Sequence, residues 1–166
     1  MNPRDLRDHK RAAKVLTALP VFKAIKRNTL PKPFDQLGRR SHAFAAGPIP
    51  VSTNHSLVFL YRSGEIFTDT SFYGYFACSL ADGSFSLLME FHWHPSHKGL
   101  HCKTPCRSKE NYSGRLLAHA PELKLSPDCT LDPRDDRQRL ELIRLFCKAC
   151  NVTMNFNQAD QLSLLK

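Results

Sequence analysis

Apolar and polar positions along this chain follow three distinct patterns. Ser56-Leu57-Val58-Phe59-Leu60-Tyr61 is a continuous apolar run of strand length, which predicts a strand covered on both faces. From Ser71 to Leu80 and from Ser84 to His94 the pattern suits two further strands. Asp82-Gly83 between them fits the left-handed angles of a two-residue type I′ turn. Beyond Asp132 the spacing becomes helical: Leu142, Ile143, Leu145, Phe146 and Ala149 form one broad apolar face. Asp132-Pro133 reads as an N-cap followed by proline at the first helical position, and the helix is expected to end near Asn151.

A two-residue loop at Asp82-Gly83 sets a register in which Leu80 faces Phe85 and the pairs continue outward. One face then collects Phe72, Gly74, Phe76, Cys78 and Leu80 with Phe85, Leu87, Met89, Phe91 and Trp93, an uncharged core face. The other face collects Ser71, Tyr73, Tyr75, Ala77 and Ser79 with Ser86, Leu88, Glu90, His92 and His94, and is expected to stay half-exposed. Pairing places Tyr75 beside Glu90 and Tyr73 beside His92.

Upstream, Leu6, Ala13, Leu16 and Leu19 form a thin apolar stripe, predicting a basic helix from about Arg4 to Leu19 that Pro20 stops. Gly99 to Thr104 adds a short strand. The expected fold is therefore α+β: a mainly antiparallel sheet of four to five strands, a C-terminal helix packed on one face, and a basic N-terminal helix. Residues 1–45 are expected to form a helical arm and residues 46–166 a single domain.

Charge sharpens this division. The 166 residues carry a net charge of +9, and residues 1–45 alone hold 11 Lys/Arg against three Asp/Glu. Such asymmetry favours an anionic partner, RNA being the expected one, with Arg7, Lys10, Arg11 and Lys14 as phosphate contacts. No run of 18 apolar residues occurs and the start of the chain is charged, so neither a membrane span nor export is expected. A cytoplasmic location with reduced thiols follows for the six cysteines.

The chemistry-bearing side chains gather between residues 90 and 107. A histidine near neutral pKa exchanges protons, and a neighbouring carboxylate orients it. Metal-independent ribonuclease chemistry would use His92 or Glu90 as base and His94 or His97 as acid. Lys98, Lys103 and Arg107 would clamp the phosphate, and Tyr73 and Tyr75 would stack bases. The alternative is a metal-dependent enzyme, because a His-x-His pair on a strand presents two imidazoles to one ion, with Glu90, His97 or His101 as third ligand. His92-Trp93-His94-Pro95 resembles the first metal-binding motif of cupins. The glutamate that follows there is replaced by Pro95, Ser96, His97, Lys98 and Gly99, and the family's later motif is missing.

Zinc also enters through Cys102-x3-Cys106 paired with Cys147-x2-Cys150, a four-thiolate set. Against it, Leu140, Ile143, Cys147 and Cys150 share one helical stripe, where cysteine packs as a small hydrophobe. A third reading is a non-catalytic binding or assembly module. In it the tyrosine and histidine face is a contact surface, and a homodimer would bury it.

Overall fold

The computed structural model of the chain describes residues 3–26, 30–39, 42–95, 99–104, 116–117 and 131–156. The architecture is α+β. Strands β2 (Lys23–Ala24), β3 (Ala43–Ser52), β4 (His55–Arg62), β5 (Ser71–Ser79), β6 (Phe85–His94), β7 (Gly99–Lys103) and β8 (Leu116–Leu117) form one sheet in sequential order. Every neighbouring pair is antiparallel. Five of these strands are long; β2 and β8 are two-residue edges. Among the described residues no helix is long and apolar enough to cross a membrane.

Strand β4 lies inside the sheet between β3 and β5, with a core on each face, which explains its continuous apolar run. Leu57 and Phe59 point into a core on one face, and Val58 and Leu60 into a second core on the other. The first core is closed by helix α2 (Asp136–Cys150), whose Leu142, Ile143, Phe146, Cys147 and Cys150 meet Phe72, Phe76, Phe91 and Trp93. Phe146 lies over Gly74: a Cβ there would sit 2.8 Å from the Phe146 ring, so only glycine admits this approach.

Helix α2 starts three residues later than expected. Asp135 is the cap, its carboxylate accepting from the Gln138 backbone N–H. Asp132 is occupied by the Arg134 guanidinium instead, and Pro133 belongs to the preceding turn. At the other end Asn151 takes the left-handed conformation (φ 56°), as the sequence suggests.

The hairpin tip also departs from expectation. Leu80 N–H donates to Ser84 O and Gly83 N–H to Leu80 O, so the loop holds three residues, with Gly83 at φ +80°. Such a loop carries its glycine in the left-handed position of a bulge rather than in a type I′ turn. The register therefore slips by one: Phe85 pairs with Ser79 and Leu87 with Ala77. Phe85 and Leu87 consequently leave the α2 face for the opposite core. An irregularity after Phe76 inserts Leu88 as an extra residue, turns it into the α2 core, and restores the expected pairs Phe76 with Met89, Tyr75 with Glu90 and Tyr73 with His92.

The N-terminal segment differs most. Helix α1 spans Pro3–Arg11 and does not reach Leu19. Lys14 Nζ donates to the carbonyls of His9 (2.8 Å), Lys10 (3.0 Å) and Ala12 (2.6 Å), closing the helix C-terminus. The chain then extends, and β1 (Val15–Leu16) pairs in parallel with β9 (Thr153–Met154). Leu16 is fully buried, so insertion as a strand gives it more contact than a thin helical stripe offers. Lys14, expected to contact phosphate, is 2 % exposed, and burial pushes its ammonium below the usual lysine range. Lys14→Met is expected to cost about 1–3 kcal/mol in chemical denaturation, since it leaves three carbonyls without their donor.

Candidate functional site

The face opposite α2 carries the imidazoles. Alternation along β6 puts Glu90, His92 and His94 on it, and β5 contributes Tyr73 and Tyr75. In β7, His101 pairs with His92 and Lys103 with Glu90. Positions 94 and 99, then 92 and 101, oppose each other across β6 and β7.

The three histidines converge. Ring centroids lie 6.0 Å apart for His92 and His94, 5.2 Å for His92 and His101, and 5.6 Å for His94 and His101. One ring nitrogen of each lies within 4.8 Å of the other two. His92 is 8 % exposed, and His101 is 1 % exposed with both ring nitrogens shut off from solvent. His94 is half-buried and forms the accessible side of the cluster.

Glu90 fixes one ring. His92 Nε2 donates to Glu90 Oε2 at 3.1 Å. This hydrogen bond holds the Glu90 carboxyl below the usual carboxylate range, against the opposing effect of burial. The charges of His92 and Lys103 act in the same direction as the hydrogen bond.

The tyrosines are placed as expected but not exposed as expected. Tyr73 packs edge-on against His92 (5.0 Å) and His94 (5.2 Å), and its ring is stacked with Tyr75. Both are buried. The cover is the connector that precedes β3: Phe34, from a 3-10 turn (Phe34–Arg39), packs on Tyr75 at 5.7 Å, and Ile25, Leu30 and Leu37 pack around it. This stretch is rich in proline and basic residues, yet its four apolar side chains bury enough surface to seal the face. Tyr73 and Tyr75 therefore support the imidazoles from below and are not platforms for stacking bases.

Among the described residues the proposed basic contacts are not assembled in one place. Lys103 stands beside Glu90. Arg7 and Arg11 are exposed and Lys10 is half-buried on α1, whose Leu6 enters the α2 core, on the sheet face opposite the histidines. His97, Lys98, Arg107 and Cys106 lie outside the described residues. Cys102, Cys147 and Cys150 are buried in the α2 core, where burial pushes the thiols of Cys102 and Cys147 up to about 12 and that of Cys150 up as well. These three pack as small apolar groups.

His101 is the residue that the ribonuclease reading leaves without a role. The signal for it is the antiparallel return of Gly99 to Thr104, which makes 101 the cross-strand partner of 92. A groove of about 670 Å³ runs along β2 and the Gly47-Pro48 bend of β3. Its lining, which includes Ala18, Lys23, Ile25 and Ile49, has no histidine, cysteine or carboxylate and lies apart from this chemistry. Comparison with known protein families, with curated proteins and with solved structures yields no match to this chain.

Proposed function

We propose that the protein is a metal-dependent enzyme in which His92, His94 and His101 hold a zinc-type divalent ion, and that its substrate is an anionic phosphate ester of the kind RNA provides. The observation that carries this reading is the convergence of three imidazole nitrogens within 4.8 Å. Two nitrogens bound tetrahedrally to one zinc lie roughly 3.3 Å apart, so small side-chain rotations suffice to close the site. Imidazole suits zinc, copper, iron and nickel better than magnesium or calcium. Three protein ligands with a fourth position open is the arrangement of catalytic zinc, which brings the pKa of a bound water to about 7.

The chain's own groups take definite parts around that centre. Glu90 orients the His92 ring, and with one nitrogen donating to the carboxylate the other keeps its lone pair for the ion. Lys103, opposite Glu90, brings a cation to the rim, where it favours an anionic group. The net charge of +9 supports the same choice of substrate. Ribonuclease chemistry without metal would use Glu90, His92 and His94 alone. What favours the ion is His101, a buried third imidazole for which acid–base cleavage has no use.

The test is titration of metal-free, untagged protein with zinc by calorimetry, together with RNA cleavage assays. Zinc binding that His101→Gln weakens, and cleavage that requires the added ion, are the expected results. Cleavage that persists in chelator would return the site to metal-free acid–base chemistry. Absence of zinc binding would remove the centre altogether.

A further inference from the structure

A second set of ligand-type side chains lies on the other face of the sheet. His55 opens β4 and pairs with Cys78 near the end of β5. Cys78 stands five residues along β5 from Tyr73, about 17 Å away, and the odd spacing puts it on the α2 side. His9 comes from α1: its Nδ1 lies 3.0 Å from His55 Nε2, with the ring centroids 5.2 Å apart. One ligand atom each from His9, His55 and Cys78 falls within 4.8 Å of the other two.

We propose that His9, His55 and Cys78 form a second metal site, which takes a thiophilic ion of the zinc class and ties helix α1 to the sheet. The donor set, two imidazoles and one thiolate, excludes the hard cations magnesium and calcium and matches zinc. His55 already has a supporting partner: its Nδ1 lies 2.8 Å from Ser52 Oγ. In the liganded state Nδ1–H donates to that hydroxyl and Nε2 carries the lone pair, the usual way a second partner sets the tautomer of a metal-binding histidine. The His55 ring is stacked on Phe76 at 5.2 Å and buried to 6 % exposure, so its position is set before any ion arrives.

Charge is compatible with this assignment. Lys14 stands 5.3 Å from the Phe76 ring and opposes a second cation, but its ammonium is already held by three carbonyls. On coordination Cys78 loses its proton to solvent, and the thiolate offsets part of the charge of the ion. The three ligands are separated by 46 residues between His9 and His55 and by a strand crossing between His55 and Cys78, so binding would also stabilise the docked state of α1. None of them belongs to the His92, His94 and His101 set, so the two sites stand or fall separately.

Cobalt(II) titration of the fully reduced, metal-free chain tests this site, because a cobalt–thiolate bond produces a near-ultraviolet charge-transfer band and an imidazole-only site does not. The band is expected in the native protein and in His101→Gln. It is expected to vanish in Cys78→Ser, and in His9→Ala cobalt affinity should drop at least about 100-fold. Cys78 and His9 are both half-buried, so both variants should keep the native far-ultraviolet circular dichroism. A native protein without the band, a band that survives Cys78→Ser, or native cobalt affinity in His9→Ala overturns the proposal.

Discussion

Truncating Phe146 to alanine is expected to lower stability by about 3–5 kcal/mol, measured by chemical denaturation. Phe146 is fully buried and meets Phe59 and Phe91, each with ring centroids 5.5 Å away. It also fills the hollow above Gly74, where β5 has no side chain. Removal leaves a cavity that the rigid sheet below cannot collapse to fill, and the lost contacts add to the lost transfer energy. The complementary change, Gly74→Ala, should cost about 1–3 kcal/mol by forcing a methyl group against the same ring. Combining the two places the new methyl in the new cavity, so the double variant should be less destabilised than the sum of the singles. Strictly additive costs would mean that α2 does not rest on Gly74 as described.

Loss of His101 is expected to have the largest effect on metal binding. The cost of removing a supporting partner of a metal ligand is already about 10–100-fold in affinity, so removal of one of three ligands should exceed about 100-fold. His101→Gln keeps most of the side-chain volume, which separates lost ligation from lost packing. Glu90→Gln retains an acceptor for His92 Nε2–H but removes its charge, and should weaken binding by about 10-fold or somewhat more. Zinc calorimetry on both variants, each made in a Cys78→Ser background so that the His9, His55 and Cys78 set does not contribute, checks these values. If His101→Gln bound zinc as tightly as its Cys78→Ser parent, the three-histidine centre would be wrong. His92 and His94 would then return to the acid–base roles read from the sequence.

Much of the sheet was legible because its determinants are local. The apolar run at Leu57–Leu60 marks a central strand, and it occupies one. Tyr75 opposite Glu90 and Tyr73 opposite His92 follow from alternation once the two strands are joined by a short loop. The tip itself was less legible. Asp-Gly fits both a two-residue and a three-residue loop, and the difference reversed the faces of Phe85, Ser86, Leu87 and Leu88 before the extra residue at Leu88 restored the outer pairs. The N-terminal helix was overextended because charge and a thin stripe say nothing of Lys14 turning inward onto three carbonyls.

By itself the amino-acid order determined that the segments around residues 57–60, 71–79, 85–94 and 99–103 become strands and that a helix follows Asp132, how the long hairpin pairs near its open end, and that Glu90, His92 and His94 share a face. Those outcomes rest on side-chain periods of two and about 3.6 residues, which act over a few positions. Tertiary structure alone decided that the connector around Phe34 covers Tyr73 and Tyr75. It also brought His101 up to complete a trio, and it brought His9 to within 3.0 Å of His55 across 46 residues. Such meetings depend on which distant surfaces bury one another, and no local repeat encodes that choice.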